Sequence, residues 1–129
     1  TEIVDKCTHG IDLHTGAIHR SNLPQIRASL HVEETNRLAN AFGSPVVINS
    51  AIRENSLRAM VVERDIRLLI FEGGEALRFE ENVIQSGLFG VLSVMKEIKM
   101  LDVLPFKRRK TKEAISPSSP FGTHAEHRT

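Results

Sequence analysis

The sequence predicts an α/β fold, a mainly parallel sheet flanked by helices. Two compact apolar runs, at 45–48 and 67–71, have the composition of strands buried on both faces. Longer segments at 32–42, 54–64 and 80–100 place apolar residues at helical spacing instead. The two patterns alternate along the chain, which favours helices packed on a sheet over an all-helical or all-β arrangement.

Taken in order, residues 1–8 read as the end of a helix with Ile3, Val4 and Cys7 on one side, and Gly10 ends it. Residues 10–14 read as a short strand, with its firm part at Ile11–His14, followed by a loop at 15–24 that contains Gly16 and Pro24. A second strand is expected at 25–30, where Ile26, Ala28 and Leu30 alternate with polar positions. The helix at 32–42 gathers Thr35, Leu38, Ala39 and Phe42 on one face, and Gly43 stops it. After the strand at 45–48, the helix at 54–64 is expected to turn Leu57, Met60 and Val61 inward. The strand at 67–71 ends at Gly73-Gly74. The longest helix, 80–100, carries Val83, Ile84, Leu88, Val91, Met95 and Ile98 along one face, and its Gly87 and Gly90 mark close packing on a neighbour. The strands at 11–14, 45–48 and 68–71 are expected to run parallel.

The 129 residues suit one domain, and 40% hydrophobic with 26% charged residues is ordinary for a globular chain. A formal net charge of +1 gives no basis for nucleic acid or an acidic membrane as principal partner. The single cysteine, Cys7, rules out an intrachain disulfide and a zinc cluster built on paired cysteines, and fits a reducing compartment. Glu2, Asp5 and Lys6 interrupt the start, which lacks the apolar core of a signal peptide. No run approaches the ~18 apolar residues of a membrane span. The expectation is a soluble, cytoplasmic protein. Composition shifts near residue 104: residues 105–129 hold Lys107, Arg108, Arg109, Lys110 and Lys112, then a Ser/Pro stretch, and are expected to form a disordered basic tail. Phe106 is the one aromatic beside the basic run, so a solvated tail is favoured over a nucleic-acid-binding surface.

Two clusters carry candidate chemistry. In Gly10-Ile11-Asp12-Leu13-His14-Thr15-Gly16 a histidine ends a strand, where open α/β sheets place ligands. Imidazole is a common metal ligand, and Asp12, two residues earlier on the same side of the strand, is placed to orient a neighbouring group or simply to pair with His14. In Leu69-Ile70-Phe71-Glu72-Gly73-Gly74-Glu75 an apolar strand runs into a carboxylate. Burying Glu72 there requires a cation, a metal-bound water or an arginine, and desolvation would suit it to general acid-base work; alternatively it is the first solvated residue beyond the strand. Arg20, Arg27, Arg53, Arg58 and Arg78 lie near predicted loop ends or helix starts, where a guanidinium can hold a carboxylate. G-x-G-x-x-G, Walker, H-E-x-x-H and G-x-S-x-G patterns are absent.

Asp12-Leu13-His14-Thr15-Gly16 with Asn22-Leu23-Pro24-Gln25-Ile26-Arg27, and Phe71-Glu72-Gly73-Gly74-Glu75-Ala76-Leu77-Arg78-Phe79, together resemble the catalytic domain of the succinylglutamate desuccinylase/aspartoacylase family, over residues 1–101. The resemblance implies a zinc-carboxypeptidase-like fold that hydrolyses the amide of a small N-acylated amino acid. It implies His14 as a zinc ligand, Glu72 as general base and Arg58 as the group that holds the substrate carboxylate. It also implies a zinc-lowered water pKa and an oxyanion partner from an upstream arginine. The family's His-x-x-Glu ligand block and its β-rich second domain have no counterpart in these residues. The chain is therefore expected to be an incomplete domain, the C-terminal portion of the catalytic one, and inactive alone with weak or absent zinc. A missing N-terminal portion or a homo-oligomer would complete it. The alternative is a non-catalytic α/β interaction module derived from the same fold, with an open sheet edge for a partner.

Overall fold

A computed structural model describes residues 2–106 of the chain; the basic run and Ser/Pro tail expected beyond them lie outside the described residues. A 3-10 turn at Val4–Lys6 leads into β1 (His9–His14) and β2 (Asn22–Ala28). Then come α1 (Glu33–Phe42), β3 (Val46–Asn49), α2 (Leu57–Val62), β4 (Arg67–Gly74) and α3 (Glu81–Glu97). The strands form one sheet in the order β1-β4-β2-β3. The last strand in sequence thus lies between the first two.

The sheet is mixed, which corrects the expectation that 11–14, 45–48 and 68–71 all run parallel. β1 pairs parallel with β4 and β2 parallel with β3, but β2 and β4 meet antiparallel. β3 therefore opposes β1 and β4. Apolar runs announce buried strands without encoding their direction; that is decided by how the connections cross the sheet. The segment after β1 returns as a strand beside β4, and the crossover through α1 makes β3 copy β2. β2 also begins earlier than the alternation suggested, at Asn22, and ends at Ala28. Pro24 is accommodated because the β2–β4 register shifts between Asn22 and Gln25, the kind of irregularity at which a strand tolerates proline.

Alternation along the strands divides the sheet into two faces. Ile26, Ala28, Leu69 and Phe71 point to the side covered by α1 and α3, where they form the core with Leu38, Ala39, Phe42 and Val94. The buried residues of α1 are Thr35, Leu38, Ala39 and Phe42, as its periodicity indicates. Glu33 and Glu34 sit in its first turn, where carboxylates favour the helix dipole. Phe42 stacks on Phe71 at a ring-centroid distance of 5.2 Å. Arg37 of α1 also reaches Glu97 of α3.

α3 packs through a stripe that keeps Val83, Val91 and Ile98 of the one its apolar residues outline but is shifted away from Ile84 and Leu88. Gly87, Gly90 and Val94 are buried, with Val83, Val91 and Ile98 beside them, whereas Ile84 and Leu88 are largely exposed. The two glycines explain the rotation. A Cβ at Gly90 would clash with the Phe42 ring, and one at Gly87 would lie 3.3 Å from Phe71. The helix docks where backbone meets aromatic rings, and its larger apolar residues flank that line.

The opposite face carries the smaller α2, whose Val61 packs with Ile66 and Leu68. Ser56 caps α2, accepting from the Ala59 N–H at 3.1 Å. Here too the inward residues differ from expectation: Arg58 and Val61 are buried, while Leu57 and Met60 are partly exposed. Glu34 ties α1 to two strands, reaching His9 Nε2 at 3.3 Å and Arg67 Nε at 3.0 Å. Among the described residues no helix is long and apolar enough to cross a membrane.

Two predictions follow from this packing. Gly90→Ala ordinarily gains about 1 kcal/mol in a helix. Here the Phe42 ring must move, so the variant is expected to lose about 1–3 kcal/mol in denaturant unfolding, with Gly87→Ala much milder. The His9 hydrogen bond, then the Arg67 charge, hold the Glu34 carboxyl below its ordinary pKa. A depressed carboxylate stabilises fully above its unfolded pKa and loses that contribution as pH falls through the folded one. Glu34→Gln should therefore be less stable than wild type at neutral pH, and the gap should close below the ordinary carboxylate range near ~4.3. Thermal melts across pH 2–7 would show it.

Candidate functional site

His14 and Glu72 are register partners at the C-terminal ends of the parallel pair β1 and β4. Their side chains therefore leave the same face, the one opposite the main core. The antiparallel β2 brings Gln25 level with Glu72 and Arg27 level with Ile70. The connection from β3 to α2 supplies Ser50, Ala51 and Arg53, and α2 supplies Arg58. His14, Glu72, Arg27 and Arg58 thus line one open cavity of ≈ 150 Å³. A second cavity of ≈ 140 Å³, on the far side of Arg58, is lined by Ser29, Thr35 and Leu68 among others.

Glu72 is a partnered carboxylate. Oε2 accepts from Asn22 Nδ2 at 3.3 Å and Gln25 Nε2 at 3.1 Å, and Oε1 lies 3.6 Å from Arg27 Nη1. Regular pleating would send side chains at 22 and 25 to opposite faces; the register shift between them lets both amides reach one oxygen. The burial cost that the sequence raised is met by two amides and a guanidinium. Asn22, Gln25 and Arg27 had been singled out only as part of a resemblance block or as one arginine among several. Their convergence on Glu72 depends on the β2–β4 pairing, which no local pattern reveals.

His14 is half exposed, and its Nε2 lies 2.9 Å from Asp12 Oδ2. Asp12 therefore holds one ring nitrogen and leaves Nδ1 as the nitrogen directed elsewhere. Arg58 is 4% exposed. Nη1 donates to Ser50 Oγ at 2.7 Å, and Nη2 to the Ser50 carbonyl at 2.6 Å and to the Ala51 carbonyl. Its partners are neutral oxygens, and no carboxylate lies at ion-pair distance among the described residues. Burial, and after it the Arg27 charge, lower its pKa from the usual arginine value. The segments that follow β1 and Glu72 are tied to each other. Gly16 N–H donates to the Gly74 carbonyl at 3.0 Å, and the His19 N–H donates to Glu75 Oε1 at 2.9 Å. Gly74 turns there with φ +68°, a conformation that disfavours a side chain.

The zinc that the resemblance implies finds an incomplete donor set. Among the described residues no group of three or more His, Cys, Asp or Glu side chains could hold a metal ion. Asp12 is engaged with His14, and Glu72 with its amides. The described residues offer one imidazole nitrogen and do not by themselves fit a catalytic zinc site, which takes three protein ligands.

No family model matches the chain, and no curated protein does. Among solved structures, it is similar to a succinylglutamate desuccinylase/aspartoacylase from Rhodobacter sphaeroides, with 23% identity and a TM-score of 0.64. The match covers 74% of this chain and 29% of that one, so the chain spans less than a third of that protein's length. The likeness is one of fold: an α/β layer with the architecture of part of that protein.

The partner set of Glu72 gives a stability prediction. Glu72→Leu leaves two half-buried amides and a guanidinium without their acceptor, and should cost about 1–3 kcal/mol in urea unfolding. Glu72→Gln, which keeps one acceptor oxygen, should cost less.

Proposed function

We propose that this chain is part of a zinc-dependent amidohydrolase of the succinylglutamate desuccinylase/aspartoacylase type, an incomplete zinc-carboxypeptidase-like domain acting on a small N-acylated amino acid. One observation carries the reading: His14 and Glu72 face one cavity from adjacent strand ends, with the buried Arg58, which has no carboxylate partner among the described residues, in its wall. The fold likeness supports it independently.

In this reading Arg58 orients the substrate through its carboxylate. Fixed by Ser50 and Ala51, its guanidinium loses little freedom when a ligand arrives. Glu72 holds and moves the proton: it takes one from the attacking water and delivers it to the leaving amine. Asn22 and Gln25 fix one carboxylate oxygen so that the other faces the cavity. His14, steered by Asp12, is the zinc ligand this chain contributes; the remaining ligands come from outside the described residues. A metal held by His14 together with such ligands would supply Lewis acidity and a more acidic water. The lone, exposed thiol of Cys7 agrees with a cytoplasmic setting. Nothing among the described residues singles out the non-catalytic module.

Purified residues 1–129 are expected to hold zinc weakly and to show no amidohydrolase turnover, by metal analysis after gel filtration and by amine release from N-acyl amino acids. In a longer, active protein containing this chain, Glu72→Ala should lower kcat by ~10²–10⁴-fold while zinc stays bound, because Glu72 is base and not ligand. Stoichiometric zinc with metal-dependent turnover by residues 1–129 would overturn the incomplete-domain reading.

A further inference from the structure

The charges in the cavity wall do not balance. Arg27, Arg53 and Arg58 line it, against the single carboxylate of Glu72. Arg58 is bonded only to neutral oxygens. Arg27 is placed less firmly. Its Nη1 stands 3.6 Å from Glu72 Oε1, an ion pair too long for a good hydrogen bond. Its Nε–H is buried with no acceptor. An orphaned N–H on a cation is costly, and a guanidinium whose fork is unfilled suits a planar carboxylate. Arg27 also lies close enough to Arg58 for its charge to lower the Arg58 pKa, so a second anion between them would relieve repulsion as well.

We infer that Arg27 is a second carboxylate-reading arginine beside Arg58, loosely held by Glu72 in the free protein and transferred to the ligand's carboxylate on binding. The inference rests on the proposed function and deepens it by naming a specificity-determining residue and the device that uses it. Arg27 is an internal competitor: while it leans on Glu72, both its fork and Oε1 of Glu72 are partly occupied. A ligand carboxylate engages the exposed Nη end and draws Arg27 away from Glu72; that movement uncovers Nε–H for the same carboxylate and releases Oε1 into the cavity. An acid then does what its neutral amide cannot. It binds, and it also unmasks the group assigned to move protons.

The test uses the 129-residue chain with N-acetylglycine as probe and N-acetylglycinamide as neutral control. Calorimetry gives affinities, and the arginine Nε–H resonances report each guanidinium. The acid should bind and the amide should not, with the Arg27 Nε–H signal moving strongly as an acceptor appears. Arg27→Gln should weaken binding about ten-fold or more, as expected for losing hydrogen bonds to a charged group. Arg27→Lys should restore only part, since an ammonium lacks the fork. Glu72→Gln should tighten binding several-fold in the wild-type background and have little effect in Arg27→Gln, because the competition then has no contestant. If Arg58→Lys weakens the acid while Arg27→Gln does not and the Arg27 signal stays still, the inference is wrong and the Arg58 reading survives. If wild type binds neither probe, both fall. The Arg27 resonance is read on wild type, so a poorly folded variant does not spoil the test.

Discussion

β4 is hydrogen-bonded on both sides and covered on both faces, and it carries a carboxylate, Glu72, near its C-terminal end. Everything near the site answers that constraint. The strand lies between β1 and β2, with Leu69 and Phe71 under α1 and α3 and Leu68 under α2. A charge at the end of such a strand cannot be left to solvent alone, because Glu72 is mostly covered. Its partners come from β2, the strand antiparallel to it, and a register shift was needed to bring two of them to one oxygen. The parallel neighbour β1 contributes no bond to the carboxylate and instead sets His14 beside it.

The two faces of the sheet divide the work. On one, aromatic rings meet glycine backbone, and Phe42 and Phe71 make a stacked pair under α3. On the other, the packing is thinner: α2 has six residues and buries a valine and an arginine. That arginine's hydrogen bonds to Ser50 and Ala51 hold the connection over the sheet, and among the described residues no carboxylate pairs with its charge. A buried cation among neutral acceptors is a poor stabiliser.

The incomplete donor set for zinc follows from the same geometry. Asp12 and His14 satisfy each other at the end of an edge strand, and Glu72 is spent on its neighbours. Ligands that would complete a metal site have to approach from outside the described residues.

The sequence by itself indicated the order and approximate places of most strands and helices, the inward face of α1 and the close approach at Gly87 and Gly90, because helical and apolar periodicities are local properties of the chain. It also placed His14 at a strand end and Glu72 near one. Only the tertiary structure decided the strand directions, the antiparallel β2–β4 pair, the rotation of α3 away from its largest apolar residues, and the inward turn of Arg58. It alone brought Asn22, Gln25 and Arg27 to Glu72, some fifty residues away in sequence. Such pairings depend on which strand inserts beside which, a choice made by the crossing of connections and the packing of both sheet faces, and no short window of residues contains it.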